Sequence, residues 1–325
     1  MYQRKKLFLL SFLFVLIIFA STGWVAQVQS QEKYPTRSID FIVSVVPGGS
    51  ADFLARLVGD FLKKRWGVPV NVINKPGGGT VVAQVEVYKA APDGYTVLGD
   101  GQQSSTFMEI TMRDLPFKVL DRTFIAAMAS SPHVLYVPST SPVKSLKDLE
   151  AEVKRDPEHF TWGTMGGISE YPTRQFFKPI GVDISKTKPT MCRGAGEVLT
   201  LLAGGHIKYG NGTPVTGLPH VKAGTVRAVG ITGSRFSEYP DVPTTAEQGY
   251  PTVNAVYWWG ISGPPKLPSH IIAKWNEALQ EVVKDQEFIS KLKNIGFVPF
   301  YLNSHDTREH VMKEMEEAKQ LWGLK

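Results

Sequence analysis

Glycine-rich turns set between an apolar run and a helical pattern are the residues of this chain best suited to chemistry. Residues 43–59 read VSVVPGGSADFLARLVG: β-formers, then Pro47-Gly48-Gly49-Ser50, then apolar residues at helical spacing. Backbone N–H groups at such a helix start favour an anion. Asn74-Lys75-Pro76-Gly77-Gly78-Gly79 and Gly163-Thr164-Met165-Gly166-Gly167 repeat the device. Neither of the first two is a nucleotide loop. A P-loop needs Lys-Ser/Thr after its glycines, and the dinucleotide fingerprint needs three glycines in fixed register. One glycine turn is more often a tight turn holding water; two on facing α/β units favour a held anion.

A catalytic engine is missing from the pattern. No Gly-x-Ser-x-Gly elbow occurs, because Ser169 and Ser262 lack the flanking glycines. Cys192 has His206 nearby in sequence, but a lone Cys-Arg pair reads as a packed thiol. His305 and His310 are five apart, on different helix faces, so no metal site is expected, and no cofactor. Trp258 and Trp259 could stack on a ligand or fill a core.

These turns need elements to hold them. Ser38–Val46 reads as a buried parallel strand, and Ala51, Leu54, Ala55, Val58, Phe61 and Leu62 as an amphipathic helix capped by Ser50 or Asp52. A strand at Val68–Ile73, a helix from about Thr80 to Ala91 and a strand at Tyr95–Gly99 follow. The alternation restarts after residue 130: a strand at Val134–Pro138, a helix at Ser145–Arg155, a strand at Phe160–Thr164 and a helix at Ser169–Lys178. Beyond Arg193-Gly194-Ala195-Gly196 come a helix to Ala203 and strands near Ile207–Tyr209 and Arg227–Thr232. Val253–Ser262 is extended, and helices follow at Ser269–Val283, Gln286–Lys293 and Asp306–Trp322. This is an α/β chain in two units, with ligands expected beyond the carboxyl ends of the strands.

At 325 residues, 42% hydrophobic and 20% charged, the chain suits two globular domains. Arg4, Lys5 and Lys6 precede an apolar run from Leu7 to Ala20, and small residues at Val28 and Ser30 precede Gln31. That predicts a signal peptide over 1–30 and a periplasmic protein; a retained membrane anchor is the rival reading. The formal charge is +6, and without the three basic residues of the first thirty it is +3. So mild an excess argues against a nucleic-acid partner. Cys192 is the one cysteine, too far from the leader to carry a lipid anchor.

Several motifs together resemble a known family. They are Tyr34-Pro35-x-Arg37-x-Ile39, Pro47-Gly48-Gly49-Ser50-x-Asp52-x-x-Ala55-Arg56, Asn74 to Gly79, and Ala90-Ala91-Pro92-Asp93-Gly94-Tyr95-Thr96. Leu202-Ala203-Gly204-Gly205, Pro219 to Ala228, Pro240-Asp241-Val242-Pro243-Thr244 and Trp259-Gly260 continue the series. In this order they are similar to the Bug-type solute-binding proteins of tripartite tricarboxylate transporters. The resemblance implies a two-lobed, type II periplasmic binding protein, each lobe an open, mostly parallel sheet with helices on both faces. It implies a monomer that captures a small mono-, di- or tricarboxylate and delivers it to membrane permease subunits; Trp258 and Trp259 extend the expectation to an aromatic acid. The alternatives are a periplasmic sensor presenting the acid to a membrane receptor, or an enzyme on the same fold.

The division expected is 33–132 with 256–325 as first lobe and 133–255 as second, hinged near Ser130–Val134 and Asn254–Tyr257. The ligand-binding residues implied are Gly48, Gly49 and Ser50, then Gly101, Gln102 and Ser104 after the third strand. Thr164, Gly166, Gly167 and Ser169 face them from the second lobe. Arg193 is the candidate for a charge-assisted contact. Asn211 stands where the family often has aspartate, which argues against a ligand with a free ammonium group. Glu170 to Thr173 replace a family histidine, and Gly196 stands where proline is common.

Overall fold

Ile39–Val43 (β1) is apolar at every position but Asp40, and parallel strands on both sides cover it. The computed structural model describes residues 33–112 and 114–324; the expected signal peptide lies outside them. In chain order the elements are β1, α1 (Ser50–Trp66), β2 (Val70–Asn74), α2 (Val81–Lys89), β3 (Thr96–Gly101), α3 (Gln102–Ser105), α4 (Met108–Thr111) and β4 (Thr123–Pro132). There follow β5 (Val134–Pro138), α5 (Leu146–Arg155), β6 (Thr161–Thr164), α6 (Gly167–Phe177), β7 (Lys188–Met191), α7 (Ala195–Ala203), β8 (Gly210–Gly212), α8 (Pro214–Lys222) and β9 (Val226–Ile231). The chain ends with β10 (Val256–Gly263), α9 (Ser269–Val282), α10 (Gln286–Asn294), β11 (Val298–Leu302) and α11 (Ser304–Trp322).

Helix α1 forms because Leu54, Ala55, Leu57, Val58 and Leu62 make one buried stripe. It stops at Gly67, which takes the left-handed conformation (φ 69°) and donates to Lys63 O. Each fully buried leucine or valine of that stripe contributes about 1.5–3 kcal/mol. Trp66 meets Trp275 of α9 edge-on at 4.9 Å, and Phe61 meets Phe288 of α10 at 5.8 Å. The C-terminal helices thus return to the first sheet, as their single apolar stripes required.

That sheet runs β11-β4-β10-β3-β1-β2. Only β1–β2 and β1–β3 pair parallel; β10 pairs antiparallel with β3 and β4, and β11 with β4. The second half holds the antiparallel trio β8-β5-β9 and the parallel pair β6–β7, bridged at Trp162 and Tyr209. The α/β class and two-lobed fold stand, but the expected mostly parallel sheets are corrected to mixed ones. The reason is strand direction: β10 and β11 both run back against β4, and β8 and β9 both run back against β5. The strand expected near Ile207–Tyr209 pairs three residues later, at Gly210–Gly212.

His133 alone separates β4 in the first sheet from β5 in the second. The return passes through Asn254 and Ala255 into β10. Thr232 ties the two crossings together: its Oγ1 accepts His133 N–H (2.8 Å) and donates to Ala255 O (2.6 Å). No helix among the described residues is long and apolar enough to cross a membrane.

Candidate functional site

The loop after β1 is built by one carboxylate. Gly48, at φ 94°, turns the chain in a conformation that side chains rarely adopt. Its N–H donates to Asp52 Oδ2 (3.0 Å). Asp52 Oδ1 accepts from Asn74 Nδ2 (2.8 Å) and Arg56 Nη2 (2.9 Å), and Asn74 Nδ2 also reaches Val45 O (3.0 Å). Burial alone would raise the Asp52 carboxyl; the bonds from Arg56, Gly48 and Asn74 outweigh it and hold the group below its usual value. Gly49 and Ser50 are exposed, and no side chain caps α1. The first N–H groups of a helix have no partner inside it, so those at Gly49 and Ser50 are open to a ligand.

The facing loop is built by hydroxyls. Ser169 Oγ accepts from Met165 N (2.6 Å) and lies 3.0 Å from Thr164 Oγ1, which accepts from Gly166 N (2.9 Å). Thr164 and Ser169 therefore shape the turn with their side chains. Gly166 (φ 78°) and Gly167 (φ 29°) bring the backbone close to the first lobe. A Cβ on Gly167 would stand 2.7 Å from Gln103 Oε1. That oxygen also accepts a long bond from Ile168 N (3.4 Å). A neutral carbonyl oxygen thus occupies the position at the start of α6 where an anion's oxygen fits. Gln103 follows β3, and β3 ends beside β1 with Gly99 opposite Val43. The α6 start therefore meets the residue that follows β3, the strand beside the one that leads into the Gly48 loop.

The loop after β3 differs from expectation. Gly101, Gln102 and Ser104 are buried and committed to the lobe. Asp100 accepts from Ser104 Oγ (2.6 Å), Ser105 Oγ and Gly101 N, and it pairs with Arg122 at 3.3 Å, both side chains nearly solvent-free. Gln102 Nε2 donates to Glu314 on α11, and a Cβ on Gly101 would meet Trp258 O at 2.8 Å. The residue this scaffold presents to the other lobe is Gln103.

Arg193 lies just before α7 with its side chain 94% exposed, bonded to Glu197 in the first turn of that helix (3.2 Å). Asn211 is buried under α6: its Nδ2 donates to Ser169 O (2.7 Å), and its Oδ1 meets His133 Nδ1 (3.2 Å). Its amide is spent on the fold, so the charge argument drawn from it against ammonium ligands falls. Trp258 and Trp259 are each about 1% exposed, on opposite faces of β10, Trp259 against Phe41 and Trp258 against His310. Both are core, and neither can stack on a ligand in this arrangement. Cys192 is also packed, and burial raises its thiol.

The sequence pattern of the tripartite tricarboxylate transporter family receptor matches residues 54–323. Protein BugT of Bordetella pertussis is 29% identical over 307 residues, covering 93% of each chain. A UPF0065 protein of Agrobacterium vitis is 30% identical over 292 residues, covering 89% of this chain and 83% of that one. A solved periplasmic transporter superposes with TM-score 0.75 at 27% identity, over 90% of this chain and 98% of that one. MatC from Rhodopseudomonas palustris, solved with malate, gives 0.72 at 24%, over 89% and 99%. The open α1 start and the Gln103-bonded α6 start thus sit in a chain that belongs to the tripartite tricarboxylate transporter receptor family.

Proposed function

We propose that this protein is a periplasmic receptor that captures a small organic acid between residues 33–132 with 256–325 on one side and 133–255 on the other. It delivers that acid to the permease subunits of a tripartite tricarboxylate transporter. One observation carries the reading: the α1 start leaves the backbone N–H groups of Gly49 and Ser50 without a partner inside the helix, and the α6 start already holds a neutral oxygen, Gln103 Oε1, where a ligand oxygen would take its place. Partial positive charge without a formal cation suits a carboxylate that must also be released. Asp52 is spent on Gly48, Arg56 and Asn74, and Asp100 on Arg122, so neither leaves a free carboxylate for a ligand ammonium. Proteins of the same fold solved with adipate and with malate support a dicarboxylate within the class.

A thermal-shift panel of mono-, di- and tricarboxylates, adipate and malate among them, against amino acids tests the reading. Gly49→Val is the matched control. Gly49 has an ordinary extended backbone (φ −80°), and a Cβ there would meet nothing closer than 3.9 Å, so the variant should fold. Its side chain should block close approach to the amides and weaken carboxylate binding by about 1–3 kcal/mol. Stabilisation by amino acids and not by carboxylates would sink the assignment.

A further inference from the structure

We infer that α6 is a strut joining the ligand loop to the hinge, and that Asn211 and Gln175 are the positioning residues that make it one. The inference rests on the reading that the two lobes close over a ligand. Helix α6 starts at the loop that would hold the ligand, and it is bonded to both chain crossings. At its first turn, Asn211 links Ser169 O to the His133 ring, and His133 is the single residue between the two sheets. At its last turn, Gln175 Oε1 accepts from Asn254 N (3.1 Å) and Ala255 N (2.9 Å), and Gln175 Nε2 donates to Asn254 Oδ1 (2.9 Å). Those two residues are the return crossing. Thr232 closes the circuit by bonding His133 N–H and Ala255 O with one hydroxyl.

Ser169, Gln175, Asn211, His133 and Thr232 are all within the buried interior. Breaking any of these bonds strands a polar group away from water, so the circuit favours being fully made or rearranged as a unit. The outer face of α6 also bears on the first lobe: Tyr171 Oη donates to Glu317 (3.1 Å), and the Arg174 guanidinium stacks 4.4 Å from the Trp322 ring. Rotation at the crossings must therefore move the α6 start. By the same linkage, a ligand that fixes the loop biases the crossings.

Reciprocity gives the test, read by amide hydrogen exchange on the ligand-free full chain. Gln175→Met removes the hinge bonds at nearly constant volume. The Met165 and Gly166 amides, bonded within the ligand loop, should then exchange about fivefold faster, the size of one lost hydrogen bond. Asn211→Leu perturbs the loop end, and the Thr232 and Ala255 amides at the hinge should accelerate by a similar factor. The Phe53 amide in α1 should stay unchanged in both. Thr232→Val, which cuts the hinge circuit without touching α6, repeats the first arm should Gln175→Met fail to fold. Acceleration confined to the neighbourhood of either substitution would overturn the strut. No ligand is used, so a failed organic-acid panel and a failed strut are separately visible.

Discussion

Replacing Glu314 by glutamine should stabilise the protein at alkaline pH and leave it almost unchanged in acid. Glu314 lies on α11 against β10 and α3. Gln102 Nε2 donates to one carboxyl oxygen (2.5 Å), while Trp258 Nε1 (3.0 Å) and Thr106 Oγ1 donate to the other. Burial pushes the carboxyl from 4.5 up to about 7, against the pull of those three donors. A group raised in the folded state contributes its full stability below the unfolded value and loses it as the pH climbs through the folded one. The gap between the two values corresponds to about 3 kcal/mol, lost between acid and alkaline conditions. Glutamine cannot ionise. Its carbonyl can keep the Trp258 and Thr106 bonds while its NH2 meets Gln102, whose Oε1 has no partner among the described residues and can turn to accept. Urea unfolding of both proteins at about pH 4 and about pH 8 measures the effect. The variant should gain up to about 3 kcal/mol over the wild type on moving from acid to alkali. A difference between the proteins that does not change with pH would refute the ionisation argument.

Asp52→Ala should cost about 1–3 kcal/mol at neutral pH, because it strands the Gly48 N–H and the Asn74 amide that shape the first loop. The lowered pKa of Asp52 places its contribution at neutral pH and removes it as the pH falls through the carboxylate range, so variant and wild type should converge in acid unfolding; a gap that persists there would mean that packing, not charge, was lost. Arg193→Ala should leave both the melting temperature and any carboxylate-induced shift unchanged, since its exposed side chain meets only Glu197; a lost ligand shift would put Arg193 in the site.

The legible parts of this chain are those whose cause lies within a few residues. The helix from Ser50 and the strand at Val134–Pro138 carry their own hydrophobic period, and both glycine loops announce themselves by composition. Strand β4 does not. Its sequence, TFIAAMASSP, is rich in alanine and poor in β-branched residues, and it is a strand because β10 and β11 flank it. Strand β7, KPTM, is short and mostly exposed, and its signal is weaker still.

The site divides on the same line. Gln102 and Gln103 are identical neighbours with opposite fates, one bonded to Glu314 in the core and one touching Gly167 across the lobes. The choice is made by Arg122, which pairs with Asp100, and by Glu314 of α11, respectively about twenty and two hundred residues away in sequence. Asn211 is the clearest case. Read by its type, it marks a missing charge at the ligand; in the fold it must donate to Ser169 O and face His133 at once, which a carboxylate could not do without setting negative charge against a carbonyl oxygen. An amide at that position keeps the α6 start bonded to the hinge without a charge to balance, so what looked like a statement about the ligand is a statement about how the loop that meets the ligand is held.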